Sequence, residues 1–146
     1  MKIAIAADHG GYEFKGKLTE FLKEQGHEVM DCGPHTLDPA DDYPDFGKPA
    51  ATAVSEGKAD RAILTCNNGI GMSILANKMK NVRAAVVYNE KSAANTREHH
   101  DSNVLALGGQ EFSEEDLLRF TDIWLKTEFQ GGRHERRMSK IMNASD

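Results

Sequence analysis

Short apolar runs alternate with amphipathic stretches along the chain. Five of the runs are predicted to be buried strands, at residues 2–7, 27–33, 61–66, 82–88 and 103–109. The stretches between and after them predict helices at residues 12–26, 46–57, 71–80, 90–100, 115–129 and 131–142. Ser113 followed by Asp116 predicts an N-terminal capping box for the fifth helix. Pro49 is expected to break the second helix unless it lies near the first turn.

Strands that alternate with helices in this way form a parallel sheet with helices on both faces. The chain is therefore expected to be α/β, a three-layer αβα Rossmann-like sandwich with a five-stranded parallel sheet. Residues 1–146 are expected to form one domain that ends in a short basic helix. In such sheets a ligand binds outside the carboxyl ends of the strands, near the switch in strand order. The polar residues at these strand ends are thus the first candidates for a site.

Composition and charge narrow the class of protein. The 146 residues carry a net charge of −5, which argues against general binding to nucleic acids or to anionic membranes. No apolar run approaches the roughly 18 residues of a membrane helix. The apolar stretch in the first ten residues, MKIAIAADHG, is too short for a signal peptide. A soluble cytoplasmic protein is therefore expected. No cysteine or histidine spacing indicates a metal site. Reduced thiols are expected, with a redox pair between Cys32 and Cys66 left open because both lie at the ends of predicted strands.

The third strand ends at Cys66, and a polar turn at residues 67–71 leads into the next helix. A cysteine at a strand end is usually a small core residue. The backbone N–H groups of a turn that opens a helix nevertheless form an anion site, and the positive end of the helix dipole favours a thiolate nearby. A thiolate beside such a turn supplies a base and hydrogen-bond donors for an enediolate oxygen, which proton abstraction next to a carbonyl requires.

Asp8 and His9 close the first strand. Asp8 either caps the following helix or points with His9 into the cleft, where the pair would suit sugar hydroxyls or a phosphate. The pair His99 and His100 lies at the end of the fourth helix, where one histidine is expected to be a cation at the helix C-terminus and the other is a candidate general acid or base.

The segment GGRHERR at residues 131–137 is the clearest local cluster of positive charge. Arg133 and Arg137 are four residues apart and therefore share one face of a helix. Two guanidinium groups in this arrangement suit a phosphate dianion. A solvated basic tail is the alternative interpretation.

Together these pieces resemble the type B ribose-5-phosphate isomerases and the related galactose-6-phosphate isomerase subunits. The resemblance covers nearly the whole chain in order, and its most specific parts are DYPDF, the cysteine turn and GGRHxxR. The matching segments are IAxxxDHGGYxxK at 3–15, DYPDFG at 42–47, ILTCNNGIGMSILANK at 63–78, VRAA at 82–85, REHHDSNVLALGG at 97–109 and GGRHERR at 131–137.

The resemblance implies a metal-independent, cofactor-free aldose–ketose isomerase with a flavodoxin-like sheet. It implies a homodimer, or a dimer of dimers, with sites at the subunit interface. The implied substrate is a small sugar phosphate, by default D-ribose 5-phosphate in exchange with D-ribulose 5-phosphate, a reaction of the pentose phosphate pathway. Cys66 matches the base that moves a proton between C1 and C2, and His99 matches the residue that opens the furanose ring. The positions implied to bind substrate are Asp8, His9, Tyr43, Asn67, Asn68, Gly69, Ile70, Gly71, His100, Gln110, Arg133 and Arg137.

Four of these positions depart from the family's usual residues. The usual turn reads Cys-Gly-Thr/Ser-Gly, so Asn67 replaces a glycine and Asn68 replaces a threonine or serine. His100 replaces an asparagine, and Gln110 replaces an arginine. Asparagine can adopt the left-handed conformation that glycine provides, so Asn67 is expected to preserve the turn. We interpret the changes as chemistry retained with substrate recognition altered. An isomerase of a hexose or tetrose phosphate therefore stays an alternative, as does a non-catalytic sugar-phosphate binding module, which the presence of Cys66 opposes.

Overall fold

The computed structural model describes residues 1–145, which contain one five-stranded sheet in which all paired strands are parallel. Strands β1–β5 span Lys2–Ala7, Glu28–Asp31, Arg61–Cys66, Ala84–Val87 and Val104–Gly108. Helices α1–α6 span Tyr12–Glu24, Pro44–Ser55, Ile70–Ala76, Glu90–Glu98, Glu114–Lys126 and Arg133–Met142, and a 3-10 turn at His9–Gly11 precedes α1. The predicted α/β class with five parallel strands is confirmed.

The strands lie in the order β2-β1-β3-β5-β4. The flavodoxin order is 2-1-3-4-5, so this sheet shares its first three strands and exchanges the last two. After β2 the chain returns to add β3 on the other side of β1, so the switch in strand order lies between β1 and β3. At this switch Ala7 of β1 pairs with Thr65 of β3, and Cys66 pairs with Gly108 of β5. The carboxyl ends of three strands therefore meet at one edge.

Alternating small and large side chains give the sheet two different faces. Small residues of β1 and β3, such as Ala4, Ala6 and Ala62, pack against the alanine-rich α2 and against α3. Large residues such as Ile5 and Leu105 pack against α1, α4 and α5 on the opposite face. Because side chains alternate between the two faces of a strand, the small-large pattern of the sequence decides which helices come close to the sheet.

Each helix differs from its predicted bounds at one end or both, and side chains account for the differences at α2 and α3. α2 begins at Pro44, so Pro49 lies beyond the first turn and the helix continues through it; both Pro49 and Asp45, the residue four positions earlier, are exposed, so water can solvate the carbonyl that Pro49 leaves without a donor. α3 ends at Ala76 and not at residue 80, because the side chain of Asn77 exchanges two hydrogen bonds with the backbone of Ala84, at 3.0 and 2.8 Å.

Side chains cap α5, where the sequence predicted a cap, and also α4, where it did not. Ser113 accepts a hydrogen bond from the backbone N–H of Asp116 at 3.1 Å and caps α5 as predicted. The reciprocal capping box lies instead at α4, between Asn89 and Ser92. None of the helices within residues 1–145 is long and apolar enough to cross a membrane.

The redox pair that the sequence left open is not supported. Cys32 follows β2 and Cys66 ends β3, and β1 lies between these two strands. Strands two positions apart are separated by roughly 9.6 Å, which exceeds the Cα separation of about 7 Å that a disulfide can span. Both cysteines are free thiols.

Candidate active site

Three turns converge at the carboxyl edge of the sheet, after β1, β3 and β5. They approach so closely that glycines are required where they meet. A Cβ atom on Gly109 would lie 3.2 Å from the carbonyl oxygen of Gly10, and one on Gly108 would lie 3.0 Å from the Cα atom of Asn68. The backbones of the three turns therefore form one packed unit.

Cys66 lies at the base of this unit, as the last residue of β3. Its side chain is 96% buried and belongs to the core cluster between the sheet and helices α2 and α3. The residue thus fits both interpretations made from the sequence: it packs as a small core residue, and it ends a strand directly below the turn that opens α3.

The turn at residues 67–71 uses its residues differently from the prediction. Positive φ occurs at Gly69, where φ is 81°, and at neither Asn67 nor Asn68. The expectation that Asn67 adopts the left-handed conformation is therefore wrong, because the chain reverses at Gly69. Oδ1 of Asn68 accepts a hydrogen bond from the backbone N–H of Ile70 at 3.1 Å, so this side chain satisfies one amide at the start of α3.

The remaining amides of the turn are the donors that an anionic oxygen would meet. Among residues 1–145, the backbone N–H groups of Asn68, Gly69 and Gly71 donate to no other group of the chain. The hydroxyl group of Tyr43 lies over the last of these positions, because a Cβ atom on Gly71 would be 2.4 Å from it. Tyr43 precedes α2, so that helix carries it to the turn.

Asp8 has the capping role that was one of its two interpretations. Oδ1 accepts hydrogen bonds from the backbone N–H groups of Gly10 at 2.8 Å and Gly11 at 3.2 Å. Burial raises the pKa of Asp8 above its ordinary value, since the residue is 95% buried and those two hydrogen bonds only partly offset the loss of solvent.

His9 is held by a residue that the sequence did not single out. Its Nδ1 atom lies 2.9 Å from Oδ1 of Asp41, and its backbone N–H donates to the same oxygen at 3.3 Å. This hydrogen bond raises the pKa of His9 above its ordinary value of 6.5. The sequence signal for Asp41 was present but unspecific, because several aspartates occur in the loop at residues 34–45.

Gln110 joins the turns after β1 and β5. Its Nε2 atom donates to the carbonyl oxygen of Gly10 at 2.9 Å, and its backbone N–H donates to the carbonyl oxygen of Asn67 at 3.1 Å. Gln110 is therefore a neutral bridge, in contrast to the arginine that the resemblance leads one to expect at this position.

A second group of predicted residues lies around the start of α6. The imidazole of His99 stacks on that of His134, with ring centroids 4.2 Å apart. Burial and the neighbouring His99, Arg133 and Arg137 lower the pKa of His134, which favours a neutral ring within this basic cluster. His134 carried no individual prediction. Arg133 and Arg137 lie in the first two turns of α6, as the sequence predicted.

The two groups lie at opposite ends of the strands. His99 caps the end of α4, just before the chain enters the amino end of β5, whereas Cys66 pairs with Gly108 at the carboxyl end of β5. The length of β5 alone separates these levels by roughly 13 Å along the strand. The groups also differ in face, because α4 packs on the cluster opposite to that of Cys66. One chain therefore does not bring its own His99 to its own Cys66.

His100 faces a different environment from its neighbour. It lines a cavity of about 800 Å³ together with Thr96, Met138 and the connection between α3 and β4. This cavity does not include Cys66 or the turn after it. Among residues 1–145, no cluster of histidine, cysteine and carboxylate side chains could hold a metal ion.

The carboxyl ends of the strands define an α/β protein in which a buried thiol lies below an amide-rich turn at the strand switch, the place where such sheets bind ligands. The family model described as Ribose/Galactose Isomerase matches residues 3–141 of this sequence. The chain therefore belongs to the ribose/galactose isomerase family, whose members are aldose–ketose isomerases. The resemblance seen in the sequence is confirmed.

Individual relatives agree over nearly their full lengths. A putative sugar phosphate isomerase of Bacillus subtilis is 45% identical over 141 residues, which are 97% of this chain and 95% of the relative. Ribose-5-phosphate isomerase B of Escherichia coli is 39% identical over 140 residues, or 96% of this chain and 93% of the relative.

Solved structures show the same fold. Ribose-5-phosphate isomerase B of Clostridium thermocellum has a TM-score of 0.96 at 48% identity, with 99% of this chain and 97% of the other covered. The enzyme of Mycoplasma genitalium, solved with bound ribulose-5-phosphate, has a TM-score of 0.96 at 41% identity, with 99% and 95% covered.

Proposed function

We propose that this chain interconverts D-ribose 5-phosphate and D-ribulose 5-phosphate through a cis-enediolate. The observation that carries the proposal is the position of Cys66 at the end of β3, directly below a turn with backbone N–H groups that have no acceptor among residues 1–145. The bound ribulose-5-phosphate of the Mycoplasma genitalium relative supports this substrate pair.

The proposed chemistry uses one base and a set of fixed donors. The Cys66 thiolate removes the proton from C2 of the open-chain aldose, and the thiol returns it to C1, while the proton of the C2 hydroxyl passes to the oxygen on C1. Negative charge develops on the enediolate oxygens between these steps. The amides of Asn68, Gly69 and Gly71 would stabilise this charge without reorganising, because the packed turns hold them in place.

A complete site requires a second copy of the chain in this proposal. His99 would open the sugar ring, and Arg133 and Arg137 would hold the phosphate. These residues lie at the amino ends of the strands, opposite to Cys66 at the carboxyl ends. A homodimer in which the α6 end of one subunit covers the strand ends of the other would unite them. The exposed side chains of Ile70 and Ile74 on α3 offer an apolar surface beside the site for this contact.

Several further features belong to the same proposal. Residues 1–146 would act as one sugar-phosphate isomerase domain without a metal or cofactor, as a dimer or a dimer of dimers. The two free thiols favour a reducing compartment such as the cytoplasm. Neutral Gln110 at the strand ends keeps a hexose or tetrose phosphate as the alternative substrate, because this side of the site has no guanidinium group.

Coupled assays against a panel of pentose, hexose and tetrose phosphates test the proposal, with the Cys66→Ala variant as the control. Turnover of ribose 5-phosphate that exceeds the other sugars and disappears in the variant is expected. If only another sugar phosphate is turned over, the proposed substrate is wrong and the proposed type of reaction is retained. Binding of sugar phosphates without turnover of any of them would support the non-catalytic module instead.

A further inference from the structure

Asp41 is a buried carboxylate that the proposed chemistry does not use. Its Oδ1 atom contacts both Nδ1 and the backbone N–H of His9, at 2.9 and 3.3 Å. The side chain is only 5% exposed, and Oδ2 is buried with no hydrogen-bond partner among residues 1–145. Within the described chain, the His9 imidazole is therefore the group that compensates this carboxylate for the loss of water.

A turn in the preceding loop delivers Asp41 to this position. The backbone N–H of Asp41 donates to the carbonyl oxygen of Asp38 at 3.1 Å, and Oδ1 of Asp38 accepts from the backbone N–H of Ala40 at 2.9 Å. Aspartate followed by proline, here Asp38 and Pro39, favours the first two positions of such a turn. The segment thus directs the carboxylate back towards the end of β1, 32 residues away in sequence.

Burial of a carboxylate is costly unless a positive group compensates it. An imidazolium meets this need better than a neutral imidazole, so the pair favours protonated His9, and the direction of the pKa of His9 agrees. Three carboxylates act on His9, from Asp8, Asp38 and Asp41. The side chains that reach this turn from the ends of β3 and β5 are neutral amides.

We propose that Asp41 is a positioning residue that holds His9 as an imidazolium and leaves its Nε2–H to donate to the anionic phosphate end of the substrate. This inference rests on the proposed function. Asp41 acts through His9 and does not touch the substrate. Among the predicted site residues at the carboxyl edge, His9 is the side chain able to carry positive charge, because Gln110 is neutral and bound to Gly10. The imidazole is 37% exposed, so a ligand can reach it.

NMR titration of the histidine rings in the full-length protein tests the first half of this inference. The His9 resonance is assigned by its loss in the His9→Gln variant. We expect the pKa of His9 to lie above 6.5 in the wild type and to fall in the Asp41→Asn variant, which keeps an oxygen acceptor and loses the charge. Asp42→Asn is the matched control, because Asp42 is an exposed residue of the same loop and is not among the carboxylates that act on His9. An unchanged pKa of His9 in Asp41→Asn would overturn the inference.

Inorganic phosphate tests the second half and does not depend on turnover. Phosphate is expected to shift the His9 resonance of the wild type. In Asp41→Asn we expect phosphate affinity to fall about fivefold near pH 8 and by less than about twofold near pH 6, where His9 is protonated in both proteins. The KM for the sugar phosphate should follow the same pattern with kcat nearly unchanged. Equal weakening at both pH values would indicate a merely structural role, and no effect of phosphate on His9 would refute the assigned contact. If no sugar phosphate is turned over, the titrations with inorganic phosphate still decide the role of Asp41.

Discussion

Cys66 lies at the carboxyl ends of the strands and His99 at their amino ends, on opposite faces of the same parallel sheet. The first ends β3 below the turn that opens α3, and the second ends α4 before the chain enters β5. The resemblance implies a role in the reaction for both, so in the proposed function a single chain carries two halves of a site that do not meet. This separation provides a direct test of whether two subunits share each site.

Mixing two inactive variants should restore activity. In a heterodimer of Cys66→Ala and His99→Ala subunits, one site contains both mutations and the other contains neither. After subunit exchange by dilute denaturant and refolding, random pairing predicts recovery of about a quarter of the wild-type activity. Each variant carried alone through the same treatment is the control. No recovery, with heterodimers demonstrated by native mass spectrometry, would mean that the two residues do not serve a shared site.

Cys66→Ala should remove catalysis and preserve binding. Loss of a general base typically lowers kcat by about 100- to 10,000-fold, whereas the phosphate contacts and the turn amides remain. Coupled assays measure the first effect, and calorimetric titration with a sugar phosphate measures the second. Because alanine is also small and apolar, the core around residue 66 should keep its packing. Turnover within a few-fold of the wild type would show that another group is the base.

Gly69→Ala should destabilise the fold through the backbone of the turn. Gly69 has a φ of 81°, and a Cβ atom there would lie 3.2–3.3 Å from the backbone of Ala106 and Leu107. We expect the free energy of unfolding to fall by about 1–3 kcal/mol, as measured by urea denaturation. Gly16→Ala is the matched control, because Gly16 lies in α1 with nothing within 4 Å of its Cβ position. That change should raise stability by about 0.5–1 kcal/mol, and equal effects of both substitutions would contradict the argument.

Asp8→Asn should stabilise the protein at neutral pH. The folded pKa of Asp8 is raised above 3.8 by burial, so its ionised form costs stability at pH 7, and this cost is lost as the pH falls through the folded pKa. The variant keeps an oxygen for the N–H groups of Gly10 and Gly11 and removes the charge. Denaturant titrations should show a gain for the variant at pH 7 that shrinks as the pH approaches 3.8. Asp122→Asn, a change at a partly exposed carboxylate of α5, should show no such gain. A loss of stability for Asp8→Asn at pH 7 would show that the charge helps the fold.

Local patterns in the sequence determined the elements and the position of the candidate base. The apolar runs predicted the bounds of β1 and β3 as the structure has them, because a buried strand needs continuous apolar residues. The run that ends at Cys66 placed the thiol at a strand end, and the glycines after it placed a turn there. These properties depend on residues that are neighbours in sequence.

Only the tertiary structure decided which of these pieces meet. Strand periodicity does not encode the order of strands in a sheet, so the insertion of β5 between β3 and β4 could not be read from it. The pair of His9 and Asp41 spans 32 residues and depends on how the loop before α2 folds back. The separation of His99 from Cys66 follows from the direction of α4 and β5. Sequence motifs place functional residues along the chain, but the distances between them arise from packing between elements far apart in sequence, which no local pattern contains.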